Sequence, residues 1–215
     1  MGNPSDYTEY TAAQATKYHE WYASEQGREL AREQREALAR AAGHERGQLI
    51  EAGCGAGYFT AWFHELGFRV TAIDMSPAMI SLAARHTPHG VRLCLASAGQ
   101  LPFPDHAFDA AAFVTSLEFI RDPAAAVRES FRVARNKLIF LLLNPDHPMN
   151  VKRIRKAAAE GGVFGRAKFW RPEDMKDLLT ESARPGAHIE IQVSGFSEQH
   201  SYYLLTAVLP RFGTS

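Results

Sequence analysis

Three glycines at alternate positions, in the stretch EAGCGAGYFTAWF over residues 51–63, lie between a strand-like run and an apolar helical one. Gly53, Gly55 and Gly57 permit a tight strand-to-helix turn and remove Cβ atoms that would hold a ligand off the backbone. A dinucleotide loop reads G-x-G-x-x-G, its third glycine allowing close helix–strand packing. That third position is Tyr58 here, and Gly57 comes one residue early. Taken alone, the loop is compatible with a dinucleotide, a nucleoside sulfonium or a plain turn.

The rest of the chain alternates in the same way, which predicts an α/β sheet wound on both faces. Helices are expected over 25–42, 58–66 and 172–180, with two more opened by Ser76-Pro77 and Asp122-Pro123. Phe59, Trp62, Phe63 and Leu66 recur at i, i+3, i+4 and i+7, one face of a helix. Strands are expected over 48–52, 68–73, 91–96, 108–114 and 138–143. The last of these is apolar throughout and so central. Residues 135–137 read as the turn before it, and 145–170 as irregular, basic chain. Strands near 188–194 and 202–209 resemble an antiparallel hairpin with a long connection.

Composition narrows the function. The 215 residues fit one domain, 1–215, in three parts: an N-terminal helical cover (1–45), a core (46–143) and a cap, last helix and hairpin (144–215). Lys+Arg and Asp+Glu are both 24, so the formal charge is zero and nucleic acid is not an expected partner. The longest apolar run, 138–143, is strand-sized, so no membrane partner is expected. The opening residues carry no secretory apolar core, and Cys54 and Cys94 form no framework, so the expected setting is cytoplasmic and reduced. His86 and His89 flank Thr87-Pro88 and read as exposed loop histidines; no metal is expected.

Two carboxylates stand near the glycines. Asp74 ends the second strand, where a carboxylate can accept hydrogen bonds from both hydroxyls of a ribose. The competing role, a helix N-cap, is already filled by Ser76. Glu51 precedes the loop and could accept from loop amides or receive an ammonium through water. A carboxylate there disfavours a phosphate, which argues for a zwitterionic or cationic ligand.

Together these residues resemble the class I S-adenosylmethionine-dependent methyltransferases of the small, single-domain kind. Glu51, Gly53, Gly55 and Gly57 match the family's E-x-G-x-G-x-G motif, and Asp74 and Met75 match its ribose ligand and adenine-side apolar residue. SAGQLPFPDHAFDA, residues 97–110, and VTSLEFIRDPAAAVRESFRVAR, residues 114–135, resemble its next two motifs. The resemblance runs over roughly residues 48–143. It implies a Rossmann-like, seven-stranded, mostly parallel sheet of order 3-2-1-4-5-7-6 with strand 7 antiparallel. It also implies S-adenosyl-L-methionine as cofactor, S-adenosyl-L-homocysteine as product and a small-molecule acceptor. The implied cofactor residues are Glu51, Gly53, Cys54, Gly55, Tyr58, Asp74, Met75, Ser97, Ala98, Thr115 and Leu117.

The chain departs from the pattern at three places. Ser97 replaces an adenine-side aspartate, Arg135-Asn136-Lys137 replaces K-P-G-G, and Glu118-Phe119 stands where many members carry a histidine. No catalytic base is forced: His19, Glu118, His147 and His200 are candidates by type alone. Asn144-Pro145-Asp146-His147 resembles an N-P-P-aromatic tetrapeptide but follows the wrong strand. Acceptor-side candidates are Tyr18, Trp21, Glu118 and Asn144. The aromatic run Tyr10, Tyr18, His19, Trp21 and Tyr22 is a packed helix or a cover over the cofactor. KRIRK at 152–156 reads first as a solvated face, with steering of an anionic substrate as the alternative. A non-catalytic cofactor-binding protein and an NAD(P)-dependent oxidoreductase are the competing classes. A monomer and a homodimer are both compatible with the sequence.

Overall fold

The computed structural model describes residues 11–44 and 46–210; Tyr10 lies outside them. Its strands are β1 (Gln48–Ala52), β2 (Arg69–Asp74), β3 (Arg92–Leu95), β4 (Phe108–Val114), β5 (Ala134–Leu143), β6 (Glu190–Ser194) and β7 (Tyr202–Val208). They form one sheet in the order β3-β2-β1-β4-β5-β7-β6. The five strands β1 to β5 pair in parallel, and β7 runs antiparallel to both β5 and β6, as the resemblance implies.

Alternation along the strands divides the core into two halves, because successive side chains point to opposite faces. On one face Ile50, Phe113, Leu138 and Phe140 pack with Val127 of α5 (Pro123–Val133) and with Met175 and Leu179 of α7 (Pro172–Ser182). On the other, Leu49, Val70, Ile139 and Leu141 pack with Leu38 of α2 (Glu25–Ala42) and Phe63 of α3 (Tyr58–Glu65). Burying one such side chain stabilises the fold by roughly 1.5–3 kcal/mol.

Local signals set the helix ends. Ser76 Oγ accepts from Met79 N at 3.3 Å and opens α4 (Pro77–His86), and Asp122 Oδ1 accepts from Ala125 N at 2.9 Å and opens α5. Gly43, at φ 73°, stops α2. Ahead of α2 lies α1 (Ala12–Ala23), which holds most of the aromatic run.

Three expectations are corrected. Residues 135–137 are not a turn: β5 begins at Ala134, directly where α5 ends, held by the pairs Lys137↔Val208 and Ala110↔Lys137. Within 145–170 lies a thirteen-residue helix, α6 (Pro148–Glu160), opened by His147 with Pro148 at its first turn and closed by Gly161 at φ 76°. Its buried residues are Asn150 and Ala157, while Met149 and Ile154 are exposed, so apolar spacing carries no sign of it. His86 is not in a loop: it is the last residue of α4 and stacks on His19 with ring centroids 3.8 Å apart. Among the described residues no helix is long and apolar enough to cross a membrane.

Candidate functional site

A cleft of about 1130 Å³ opens at the C-terminal ends of β1, β2 and β4, with α1 across it and α6 on the far side. This is where an open parallel sheet binds its ligands.

Its floor is the glycine loop. Gly53 N and Cys54 N both donate to Ile73 O, at 2.8 and 2.9 Å, so the loop folds over the end of β2. Gly53 has φ 74°, and a Cβ on it would lie 2.6 Å from Ser116 Cβ. Ser116 Oγ in turn donates to Ala52 O at 2.7 Å, which joins the loops after β1 and β4. Gly55, at φ 54°, lines the cleft and donates its N–H to Asp74 Oδ2 at 2.9 Å. Gly57 serves packing instead: a Cβ there would stand 2.7 Å from Thr87 Cγ2, at the end of α4.

Asp74 faces the cleft with its second oxygen, Oδ1, accepting from Ser76 N at 2.8 Å. Burial raises its pKa, and the backbone N–H bonds from Ser76 and Gly55 oppose that rise. A carboxylate offers about four acceptor positions, so two backbone bonds leave it able to accept more. Met75, Ser97 and Ala98 continue this wall, and Ser97 Oγ accepts from Gly99 N at 3.2 Å, leaving its own hydroxyl proton to donate.

One wall is aromatic and reaches the glycine loop, where a Cβ on Gly55 would lie 3.5 Å from Tyr18 Cε1. Tyr18 and Trp21 of α1 line it, as do Phe119 and Phe164. The Tyr18 and Tyr22 hydroxyls lie 3.3 Å apart, and the Thr115 side chain stands beside both. Thr115 sits at φ 48°, a left-handed conformation that a β-branched residue rarely adopts, at the end of β4. Burial pushes the Tyr22 phenol up to about 12 and raises that of Tyr18, so both are neutral hydrogen-bonding groups at neutral pH.

The other sequence-selected residues stand outside the cleft lining. Glu51 is buried behind the loop and its Oε2 accepts from Thr60 Oγ1 at 2.5 Å; burial lifts its pKa to about 8. Cys54 and Leu117 are buried, and Tyr58 stacks on Tyr22 with centroids 4.4 Å apart. Glu118 is buried, with Oε1 accepting from Leu143 N at 2.6 Å, and burial raises its pKa to about 7. Asn144 donates its amide to Ser197 O and His200 O at 2.8 and 3.0 Å, which clamps a loop. His147 caps α6, and His200 Nδ1 bonds Ser197 Oγ at 2.9 Å.

Ser116 and Gln34 are among the lining residues that the sequence reading does not single out. Ser116 has no local pattern; what marks it is the space Gly53 leaves for it. Gln34 is buried in α2 amid Ala31, Ala37 and Leu38, and a polar residue inside an apolar stripe is a readable signal. Arg153, one of the KRIRK cations for which steering of an anionic substrate is the alternative reading, lines the cleft, whereas Lys152 and Arg155 are exposed.

The cleft fits a nucleoside–amino-acid cofactor. Two glycines keep Cβ atoms off its floor, a carboxylate with free acceptor positions ends β2, and its volume exceeds the roughly 300–1000 Å³ of a site for one small ligand. Among the described residues no group of three or more His, Cys, Asp or Glu side chains is placed to hold a metal ion.

Residues 50–142 match the model of a family described as a methyltransferase domain. The chain is 37% identical over 99 residues to a malonyl-[acyl-carrier protein] O-methyltransferase of Serratia marcescens, a match covering 46% of this chain and 38% of that protein. It is 30% identical over 104 residues to a chloroplastic 2-methyl-6-phytyl-1,4-hydroquinone methyltransferase of Oryza sativa subsp. japonica, covering 47% and 32%. The chain thus spans well under half the length of these curated relatives. Among solved structures, a possible histamine N-methyltransferase from Thermotoga maritima superposes with a TM-score of 0.74 at 20% identity, over 93% of this chain and 98% of that one. Magnesium protoporphyrin IX methyltransferase from Synechocystis, solved with bound S-adenosylhomocysteine, gives 0.65 at 16% identity over 91% and 94%. At these identities the likeness is one of fold.

Proposed function

We propose that this chain, whose residues 50–142 match a methyltransferase domain, is a class I S-adenosylmethionine-dependent methyltransferase that transfers the cofactor's methyl group to a small-molecule acceptor held against the aromatic wall of its cleft. The observation that carries the reading is the pairing of Gly55 with Asp74 on the cleft floor. It leaves a carboxylate with spare acceptor capacity beside backbone that carries no side chain of its own at Gly55.

When bound, the cofactor supplies an already activated methyl group, so the protein's work is placement and exclusion of water. In this reading Asp74 accepts from ribose hydroxyls. Gly53 and Gly55 let the amino-acid portion approach the backbone. Met75, Ser97 and Ala98 flank the base, Ser97 through its hydroxyl. Glu51, lifted to about 8 by burial, becomes a counter-charge to an ammonium group on ionising. The hydroxyls of Thr115, Tyr18 and Tyr22 bond the acceptor, and Trp21 and Phe119 exclude water. Glu118, Asn144, Cys54, Tyr58 and Leu117 support these groups from behind.

Calorimetric titration with S-adenosylmethionine and S-adenosylhomocysteine tests this, with NADH as control. Micromolar binding of the first two and none of NADH is expected, followed by methyl transfer in a small-molecule acceptor screen. Binding of NADH alone would replace the reading with an oxidoreductase. Tight cofactor binding without turnover across a broad panel would favour a non-catalytic binder.

A further inference from the structure

Of the five residues KRIRK, Lys152 and Arg155 are exposed, but Arg153 turns into the cleft. Its guanidinium is part-buried, and burial lowers its pKa. Two arginines elsewhere are neutralised: Arg132 by Glu129 and Asp105, and Arg171 by Asp146 through two hydrogen bonds. Among the described residues no carboxylate pairs with Arg153. Charges removed from water are normally paired.

The side chain is nevertheless held in place. Arg153 Nη1 donates to Asn150 Oδ1 at 3.0 Å. Asn150 is fully buried, and its Nδ2 donates to Asn144 O at 2.8 Å and Ser201 O at 2.7 Å. Those two bonds fix which way the amide points and turn its oxygen toward Arg153. The Arg153 Cζ also lies 5.3 Å from the centroid of Phe164. All these partners are neutral. One of five N–H donors is used on Asn150, so most of the fork is left for a ligand.

We infer that Arg153 is an anion-recognition residue of the acceptor subsite, which takes a small molecule with an apolar, ring-sized body against Trp21, Phe119 and Phe164 and a carboxylate paired with the Arg153 guanidinium. The inference rests on the methyltransferase reading of the same cleft. A planar carboxylate matches the guanidinium fork. A phosphate, with greater charge, calls for a second fixed cation. The other cations lining the cleft, Lys17, Arg121 and Lys156, are all exposed, and Lys156 is already 3.7 Å from Glu160.

The test is binding of matched pairs to the full chain saturated with S-adenosylhomocysteine. Benzoate, 4-hydroxybenzoate, 4-aminobenzoate and 3-phenylpropanoate are each compared with the primary amide by calorimetry, with inorganic phosphate alongside. At least one acid is expected to bind tenfold or more tighter than its amide. Arg153→Gln should erase that preference, Arg153→Lys should restore part of it, and S-adenosylhomocysteine affinity should stay within twofold in both variants. That last readout shows that the variants fold. Equal binding of acids and amides, a preference that survives Arg153→Gln, binding of phosphate in place of the acids, or no binding of any acid would each overturn the inference. Failure of the wild type to bind S-adenosylhomocysteine would instead overturn the underlying methyltransferase reading.

Discussion

Gly55 N donates to Asp74 Oδ2 at 2.9 Å, so the ends of β1 and β2 are locked to each other by the carboxylate that faces the cleft. One residue therefore shapes the loop and presents an acceptor to whatever lies on it. Replacing it removes both effects at once.

Asp74→Ala is expected to weaken S-adenosylhomocysteine binding by about 1–3 kcal/mol, the scale for leaving polar partners unsatisfied, or roughly five- to 150-fold. Calorimetry reads it directly. An unchanged affinity would remove Asp74 from the cofactor site.

Gly53→Ala meets two obstacles, a left-handed φ of 74° and a Cβ placed 2.6 Å from Ser116 Cβ. The backbone term alone costs about 1–2 kcal/mol. Scanning calorimetry should find Tm lowered by several degrees, at about 2–4 °C per kcal/mol for a chain of this size. Adding Ser116→Gly should recover the part due to the clash and leave the part due to φ. Full recovery, or none, would contradict this division.

Glu51 titrates near 8 in the fold because it is buried, against an ordinary value of 4.5. Between those limits the native state holds a proton that the unfolded state has released, so stability falls as pH rises from 4.5 toward 8. Glu51→Gln is expected to flatten that part of the stability–pH curve, measured by urea denaturation across the range. A slope identical to wild type would show that Thr60 and the loop keep Glu51 ionised.

His19 has its pKa lowered by burial first and then by His86, on which it stacks. A base depressed in the folded state contributes stability that is lost as pH falls through its ordinary value of 6.5. The expected result is faster hydrogen exchange in α1 below about pH 6.5, after correction for intrinsic rates. His19→Phe, which keeps a stacked ring but cannot be protonated, should remove this acid-side loss. Acid sensitivity unchanged by the substitution would place its origin elsewhere.

Much of the fold is written locally. The glycines fix the turn after β1, Ser76-Pro77 and Asp122-Pro123 start helices, and the apolar run ending at Leu143 marks a central strand. These signals lie within a few residues of what they specify. Tertiary signals do not: Arg135 and Lys137 look like turn residues until β7 and β4 pair with that segment. Helix α6 is missed because one of its inward residues is Asn150, which donates to Asn144 O just ahead of the helix and to Ser201 O, fifty-one residues further along the chain. The same holds for the cleft. Asp74 and Gly55 follow from spacing, while Ser116 and Arg153 depend on which elements the fold brings together.

Part of the acceptor side comes from chain outside the stretch that holds the glycine loop. Gly53, Asp74 and Ser97 lie inside residues 50–142, whereas Tyr18 and Trp21 on α1, and Arg153 on α6, lie outside. A lineage could exchange the two flanking helices, and with them its repertoire of acceptors, while the loops after β1 and β2 went on unchanged. Sequence drift in such proteins should therefore be fastest where chemical choice is made and slowest where the shared reagent sits.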